Sequence, residues 1–362
     1  MLPEALLSFL FAKPYYDLIL SKKRRTFHGK VEQKDRIAIY LFYPKKGLLK
    51  SHQRSIEYLQ RAGYAPLLVC NATLNEADRQ TVLNHCWRYI ERPNFGYDFG
   101  GYRDGILSIR SELRSLDRLL LTNDSTWFPL PKAMDWIAES EALNVDYAAA
   151  AWAWAVKAKD PKDFEDIQWQ VDKNRRNFHY ASYALNISSA ILATDDFFKF
   201  WKRFRLSNDK KRTVRRGEIG LTHWVIRNGF SHGATTEMLE LDRLLSTKTD
   251  EELAEIIRNL IFVTDPVMKS IAQTFLTAHG TSETQHKAFP RKTAERLIAN
   301  AVARQGMSYS IMSELIKNHD FAFMKKSPAF FKDGTENVVK NILEESDADF
   351  QNDIMHEISM GK

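Results

Sequence analysis

Between Arg36 and Thr122 the chain alternates short, almost wholly apolar runs with segments whose apolar residues recur at helical spacing. No other feature restricts the fold as much. Arg36-Ile-Ala-Ile-Tyr-Leu-Phe-Tyr43 has no polar alternate, so a strand built from it must be covered on both faces, as in a parallel sheet. Ser51 to Ala62 is predicted to be a helix ended by Gly63, a residue type suited to the position just past a helix end. Tyr64 to Cys70 is expected to form a second strand and Glu76 to Trp87 a second helix. Ile106 to Leu116 predicts a further helix, Asp117 to Thr122 a third strand, and Tyr147 to Trp154 another. Strand and helix in alternation mean an α/β fold, with a mostly parallel sheet flanked by helices. In such sheets ligands bind beyond the carboxyl ends of the strands.

Farther along, Asp160 to Asn177 is polar and aperiodic and reads as a long loop. Ser189 to Thr194 is expected as a strand, Asp196 to Phe204 as a helix, and Lys210 to Arg216 as a basic loop. Glu218 to Asn228 is predicted to be a helix terminated by Gly229. After about Leu241 helical spacing dominates, at Asp250 to Ile261, Val267 to Thr277, Ala294 to Arg304 and Asn337 to Glu345. The expected organisation is a helical N-terminal segment over residues 1–35, a ligand-binding α/β domain over 36–240, and a C-terminal helical region over 241–362.

Composition excludes several classes. Of 362 residues, 44% are hydrophobic and 27% charged, which is incompatible with wholesale disorder. Two cysteines, Cys70 and Cys86, cannot build a disulfide framework or a cysteine-rich zinc site, and their scarcity fits a cytoplasmic setting. No uninterrupted apolar stretch is long enough for a membrane-spanning helix. The formal charge of +6 is spread along the chain without a zinc-finger spacing or an RNA-binding strand motif, so no nucleic-acid partner is expected. Met1 to Leu20 is apolar but interrupted by Pro3, Lys13, Pro14 and Asp17, and Lys22-Lys23-Arg24-Arg25 follows it. Two readings fit that start. It lies on an anionic membrane surface, each basic side chain contributing about 1 kcal/mol. Alternatively, it is a terminal helix docked on the body with a solvated basic end.

Three segments carry chemistry. Asn94-Phe-Gly-Tyr-Asp-Phe-Gly-Gly-Tyr102 lies between strand and helix, and Gly96, Gly100 and Gly101 allow positive φ or close approach of a ligand. Asn94, Asp98 and the N–H groups of the next helix are candidates for holding a polar or anionic ligand, and a tight structural loop is the alternative. The strand Leu119-Leu-Leu-Thr122 then runs into Asn123-Asp124-Ser125, which delivers a carboxylate to the ligand edge of a sheet. Carboxylate oxygen suits Mg2+ or Mn2+ on a diphosphate, although Asn-Asp-Ser is also ordinary turn chemistry. The third segment runs from Arg216 to Phe230. Its Glu218 is either a favourable charge at a helix start or a group that takes a proton from an attacking hydroxyl. His232, just past this segment, is a candidate metal ligand.

In this order, these segments resemble the rhamnan synthesis protein F family of bacterial surface-polysaccharide proteins. The carriers are Asn94 to Tyr102, Leu119 to Ser125, and Gly217-Glu-Ile-Gly-Leu221 with Arg227-Asn-Gly-Phe230, within a stretch from about Arg36 to Glu240. Behind it stands a broader likeness to glycosyltransferases of the GT-A fold. That likeness implies a GT-A-like, Rossmann-like sheet domain that transfers a sugar from a nucleotide-sugar donor to a glycan or lipid-linked saccharide acceptor, with rhamnose suggested by the family name. It implies Glu218 as the catalytic base of an inverting reaction, and Asp124 as a ligand of Mn2+ or Mg2+ on the donor's diphosphate. It further implies Asn94, Gly96, Asp98, Gly100, Gly101 and Asn123 as the donor-gripping set, and peripheral contact with the inner membrane. The chain departs from the broad pattern twice. Asn123-Asp124-Ser125 holds one acid where two are usual, and Gly217 stands where an acidic pair would have its other member. A non-catalytic nucleotide-sugar or glycan-binding protein is therefore the alternative.

Overall fold

The computed structural model describes residues 4–279 and 289–361, with the backbone alone for residues 4–10. Residues 1–3, 280–288 and 362 of the expected end segments lie outside the described residues. The chain divides into two compact units. One holds residues 1–129, 135–150 and 180–235, and the other residues 130–134, 151–179 and 236–362.

The first unit is built on an eight-stranded sheet. Its strands are β1 (Arg25–His28), β2 (Arg36–Phe42), β3 (Ala65–Cys70), β4 (Arg88–Glu91), β5 (Arg118–Asn123), β6 (Tyr147–Ala149), β7 (Ala184–Ser188) and β8 (His232–Ala234). In space they run β1-β4-β3-β2-β5-β7-β6-β8. β4, β3, β2 and β5 are parallel, as the apolar runs predict. β1 caps the β4 edge in antiparallel fashion, and β7 is antiparallel to both β5 and β6. Ile37 and Ala38, Leu67 and Leu68, and Leu119 and Leu120 are adjacent pairs whose side chains point to opposite faces, and all six are fully buried, so these strands are covered on both faces. Flanking helices include α1 (Glu4–Leu18), α2 (Lys50–Arg61), α3 (Glu76–Asn84), α4 (Tyr97–Ser108), α5 (Asp195–Arg203), α6 (Lys210–Arg216) and α7 (Glu218–Arg227).

Four local expectations are corrected. α3 stops at Asn84 instead of running on to Trp87, and the strand β4 follows it. The charged ends of Arg-Tyr-Ile-Glu mask that strand: Arg88 donates to the Ser108 carbonyl at 2.6 Å and pairs with Glu112 at 3.2 Å. The strand expected at Ser189 to Thr194 lies at Ala184–Ser188 instead. Its central Asn186, fully buried and donating to Ser140 Oγ at 2.9 Å, hides the apolar pattern. The basic stretch Lys210–Arg216 is a helix, because Asp209 caps it by accepting from the Arg212 N–H at 2.8 Å. Tyr147 to Trp154 is not one strand but two short ones, Tyr147–Ala149 and Trp152–Ala153.

In the second unit, helices Asp250–Arg258, Arg291–Gln305, Met312–Asn318 and Glu336–Glu344 bury Leu253, Ile257, Leu297, Ile298, Val302, Leu315 and Val339. Thr249 and Glu252 close a reciprocal cap on the first of these helices, at 3.2 and 2.6 Å. Trp152 is buried here and Trp154 donates its indole N–H to the Arg304 carbonyl.

Candidate active site

Helix α4 begins at Tyr97, nine residues earlier than the spacing at Ile106 suggests, so most of the Asn94–Tyr102 segment is helix and not loop. Its glycines explain the difference. A Cβ on Gly101 would meet Leu41 Cδ1 at 2.4 Å, and one on Gly105 would meet Ile39 Cδ1 at 3.0 Å, so this glycine face lies directly on β2. On Gly100 a Cβ would reach the Phe95 carbonyl oxygen at 2.2 Å. Gly100 and Gly101 thus serve close packing of protein on protein, and the ligand approach expected of them is not where they face. Gly96 is different. It caps α4 with φ of +83°, a conformation that favours glycine, and its N–H donates to Asn208 Oδ1 at 2.7 Å. Asn94 is exposed in the turn after β4, and Asp98 is half-buried in the first helical turn.

The helix delivers Tyr102 under the carboxyl edge of the sheet. There its hydroxyl accepts from Asn123 Nδ2 at 3.1 Å and donates to the Ser182 carbonyl at 2.8 Å. Ser182 Oγ in turn donates to Glu218 Oε1 at 2.5 Å. One hydrogen-bonded chain therefore joins the glycine-rich segment, the end of β5 and the start of α7. Burial pushes the Tyr102 phenol well above its ordinary range, and the nearby charges of Asp98, Glu218 and Asp124 act in the same direction. Even so, among the described residues no group of three His, Cys, Asp or Glu side chains stands close enough to hold a metal ion.

Asp124 follows β5 as expected and is fixed from the neighbouring strand. Its N–H donates to the Leu41 carbonyl at 3.0 Å, and its Oδ2 accepts from the Tyr43 N–H at 2.7 Å. His52 Nε2 lies 3.5 Å from the same oxygen. Because His52 Nδ1 accepts from the Leu49 N–H at 3.2 Å, the proton of the neutral imidazole belongs on Nε2, the nitrogen on the side of this carboxylate. His52 is therefore a support for Asp124 and not a second metal ligand. A hard cation such as Mg2+ or Mn2+ is commonly held by one or two carboxylates with substrate phosphates completing its shell. A single carboxylate at the strand end, with 23% side-chain exposure, fits that arrangement.

His232 does not join it. It pairs in register with Tyr147, which pairs with Ile187 and so lies level with Leu119. That position is five residues before Asp124 and three strands away, or about 16 Å along the strands and about 14 Å across them. The two cannot share an ion, and His232 Nδ1 instead bonds the Tyr180 hydroxyl at 2.8 Å.

Gly217 has a steric reason to be glycine. A Cβ there would sit 2.4 Å from the ring of Phe99, which is itself stacked on Trp201 and Phe204. No acidic side chain fits at that position, and the close contact brings the start of α7 down onto the start of α4. A cleft of about 460 Å3 in the same unit is lined by Lys199, Arg203, Arg205, Arg216 and the single acid Asp196 over Phe200, Phe204 and Trp224. Burial, then repulsion from Arg205, Arg212 and Arg215, lowers the pKa of Arg216, so positive charge is concentrated at this wall. Tyr102, Ser182 and His52 were not singled out in the sequence. Tyr102 lies within the glycine-rich segment, whereas nothing local marks the other two.

The fold and site define an α/β protein whose polar groups gather at the carboxyl edge of a parallel sheet, as in proteins that bind small polar or anionic ligands. Residues 67–283, more than half of the chain, match the model of RgpF, rhamnan synthesis protein F, and the chain belongs to that family. It is 32% identical over 207 residues to the uncharacterized protein y4gN of Sinorhizobium fredii, a match covering 57% of this chain and 50% of that one. It is 26% identical over 201 residues to the virulence protein VirA of Vibrio anguillarum, covering 53% and 57% respectively. The chain thus spans little more than half the length of these curated relatives. Among solved structures, it is similar to the mannosyltransferase PcManGT from Pyrobaculum calidifontis in complex with GDP-Man and Mn2+. That match has 13% identity over 93% of this chain and 91% of that one, with a TM-score of 0.29. Core-mannan synthase A from Aspergillus fumigatus, in its Mn/GDP form, gives 10% identity over 57% and 74% with the same TM-score. At such scores the superpositions carry no argument.

Proposed function

We propose that this protein is a glycosyltransferase of bacterial cell-surface polysaccharide synthesis, of the O-antigen or capsule kind. It moves a sugar, rhamnose being the candidate, from a nucleotide-sugar donor to a hydroxyl of a glycan or lipid-linked saccharide, with inversion. The observation that carries this reading is the chain Asn123–Tyr102–Ser182–Glu218, which ties a carboxylate at a helix start to the strand end that bears Asp124. Family membership supports the polysaccharide setting.

In the reaction the acceptor oxygen forms a bond to the anomeric carbon while the bond from that carbon to the donor's diphosphate oxygen breaks. Glu218 takes the acceptor's proton. The hydrogen bond from Ser182 fixes the orientation of its carboxylate and leaves Glu218 half-buried, not sealed in the core. Asp124, held by the Tyr43 N–H and His52, would hold a Mn2+ or Mg2+ ion, which supplies Lewis-acid stabilisation of the leaving diphosphate. Asn123, bonded to Tyr102 and to the Ser125 N–H at 3.0 Å, shapes the turn that presents Asp124. Asn94, Gly96 and Asp98 line the approach to α4 and are the donor-gripping candidates. The cleft that includes Arg216, two residues before Glu218, carries a positive excess that favours an anionic group on donor or acceptor.

The protein works at the cytoplasmic face of the inner membrane, where lipid-linked acceptors are held. No helix among the described residues is long and apolar enough to cross a membrane. A panel of UDP-, GDP- and dTDP-sugars, with and without Mn2+, tests the reading by donor hydrolysis and by transfer to saccharide acceptors. Turnover of one nucleotide class, abolished by Glu218→Gln, supports it. The single carboxylate at Asp124 favours one alternative, a nucleotide-sugar-binding protein without turnover. Donor binding with no hydrolysis or transfer across the panel would establish that alternative.

A further inference from the structure

Helix α1 (Glu4–Leu18) is held to the first unit by one face and leaves an apolar face uncovered. On the held face, Ala12 and Tyr16 are buried, the Tyr16 hydroxyl bonds Asp104, and Asp17 pairs with Arg103 at 2.8 Å. On the other face lie Phe11, Tyr15, Leu18 and Ile19, exposed by 56, 47, 67 and 52%. At 100° per residue these four fall within an arc of about 100°, a continuous stripe and not scattered exposure. A terminal helix whose only task was to dock would turn this stripe inward or replace it with polar residues. Directly after it, Lys22 and Lys23 are exposed, whereas Arg24 and Arg25 are engaged by Asp104 and Glu91.

We propose that this stripe seats in the surface of an anionic lipid bilayer, with Lys22 and Lys23 against its headgroups. The inference rests on the transferase reading for its purpose, access to a lipid-linked acceptor, and on the α1 geometry for its substance. Uncovered aromatic and aliphatic side chains beside exposed lysines match the chemistry of such an interface, apolar acyl chains below anionic headgroups. Tyr16 and Asp17 anchor the helix, so the stripe is presented in a fixed orientation and the site is brought to the membrane as a unit.

Flotation of the full chain tests this, with vesicles of phosphatidylcholine alone and of equal parts phosphatidylcholine and phosphatidylglycerol. The protein should float with the anionic vesicles, and binding should weaken as salt rises. Leu18→Ser with Ile19→Ser should lower the partition coefficient by at least about tenfold. Lys22→Glu with Lys23→Glu should lower it by on the order of tenfold or more and flatten the salt dependence. Because all four side chains are exposed, both variants should melt like the parent and hydrolyse soluble donor at the same rate without vesicles. That second readout separates failure of membrane binding from failure of the transferase reading. The inference is overturned if the chain does not float, if both vesicle types bind it equally, or if the variants bind as the parent does. It is overturned equally by a concentration-dependent dimer that Leu18→Ser abolishes, which would make a second copy the partner of this face.

Discussion

Ser182 Oγ lies 2.5 Å from Glu218 Oε1, while the carbonyl of the same serine accepts the Tyr102 hydroxyl at 2.8 Å. One residue thus fixes both the candidate base and the tyrosine that reaches back to the end of β5. Ser182→Ala removes the donor to the carboxylate without touching the backbone link. Donor turnover should fall by on the order of tenfold, with little change in melting temperature, since the half-buried Glu218 carboxylate can take a water in place of the lost hydroxyl. Steady-state kinetics beside a thermal melt checks both halves.

Tyr102→Phe acts in the opposite way. It leaves the buried Asn123 side chain and the Ser182 carbonyl without the shared hydroxyl, each unmet group costing about 1–3 kcal/mol. A melting temperature lowered by several degrees is the expected outcome.

Gly217 meets Phe99 so closely that any side chain must displace a ring already packed against both Trp201 and Phe204. Gly217→Ala should destabilise by about 1–3 kcal/mol, as overpacking of a core does, and should impair turnover by shifting Glu218. The double variant Gly217→Ala with Phe99→Leu should recover part of the lost stability in a denaturation experiment, because it returns the space.

Arg92 is wholly buried and pairs with the equally buried Asp104 at 2.7 Å, with Asn71 Oδ1 and the Phe95 carbonyl accepting its other N–H groups. Arg92→Ala takes from Asp104 its closest ion-pair partner, leaving it the Tyr16 hydroxyl and Arg24 at 3.7 Å, and should cost about 3–5 kcal/mol in urea unfolding. Arg92→Met with Asp104→Leu should be milder, since the buried pair goes as a unit and the Arg24 side chain, 32% exposed, can turn to solvent.

In the second unit, Glu314 is pushed up by burial but drawn down more strongly by His319, Lys248 and Asn318, from an ordinary 4.5 to about 2. A depressed carboxyl pKa stabilises the fold at pH above the unfolded value, and that stability is lost as pH falls through the folded one. Stability should therefore decline between about pH 4.5 and about pH 2, and Glu314→Gln should flatten that part of the curve. Urea titrations of parent and variant across this window measure the difference.

Much of this architecture is legible in the chain, and the exceptions have physical causes. β2, β3 and β5 are plain because strands buried on both faces are unbroken apolar runs. β4 and β7 are hidden because Arg88, Glu91 and Asn186 satisfy their polar groups through partners distant in sequence. The start of α4 is obscured because glycines, poor helix formers, are required there by contact with Leu41 and Ile39. At the site, Asp124 and Glu218 stand out by position alone. Ser182 and His52 do not, since only the fold brings them to those carboxylates. His232 shows the limit of proximity to a motif, because strand register and not sequence distance decides what it reaches.

The most direct test is transfer or hydrolysis of a nucleotide sugar by the parent, Glu218→Gln and Asp124→Asn, with binding followed in parallel. The transferase reading predicts that Glu218→Gln keeps donor affinity but loses about 10²–10⁴-fold in turnover, as removal of a general base does. It also predicts that Asp124→Asn loses the metal-dependent part of donor binding. A parent that binds donor without ever turning it over, or a Glu218→Gln variant as active as the parent, would contradict it.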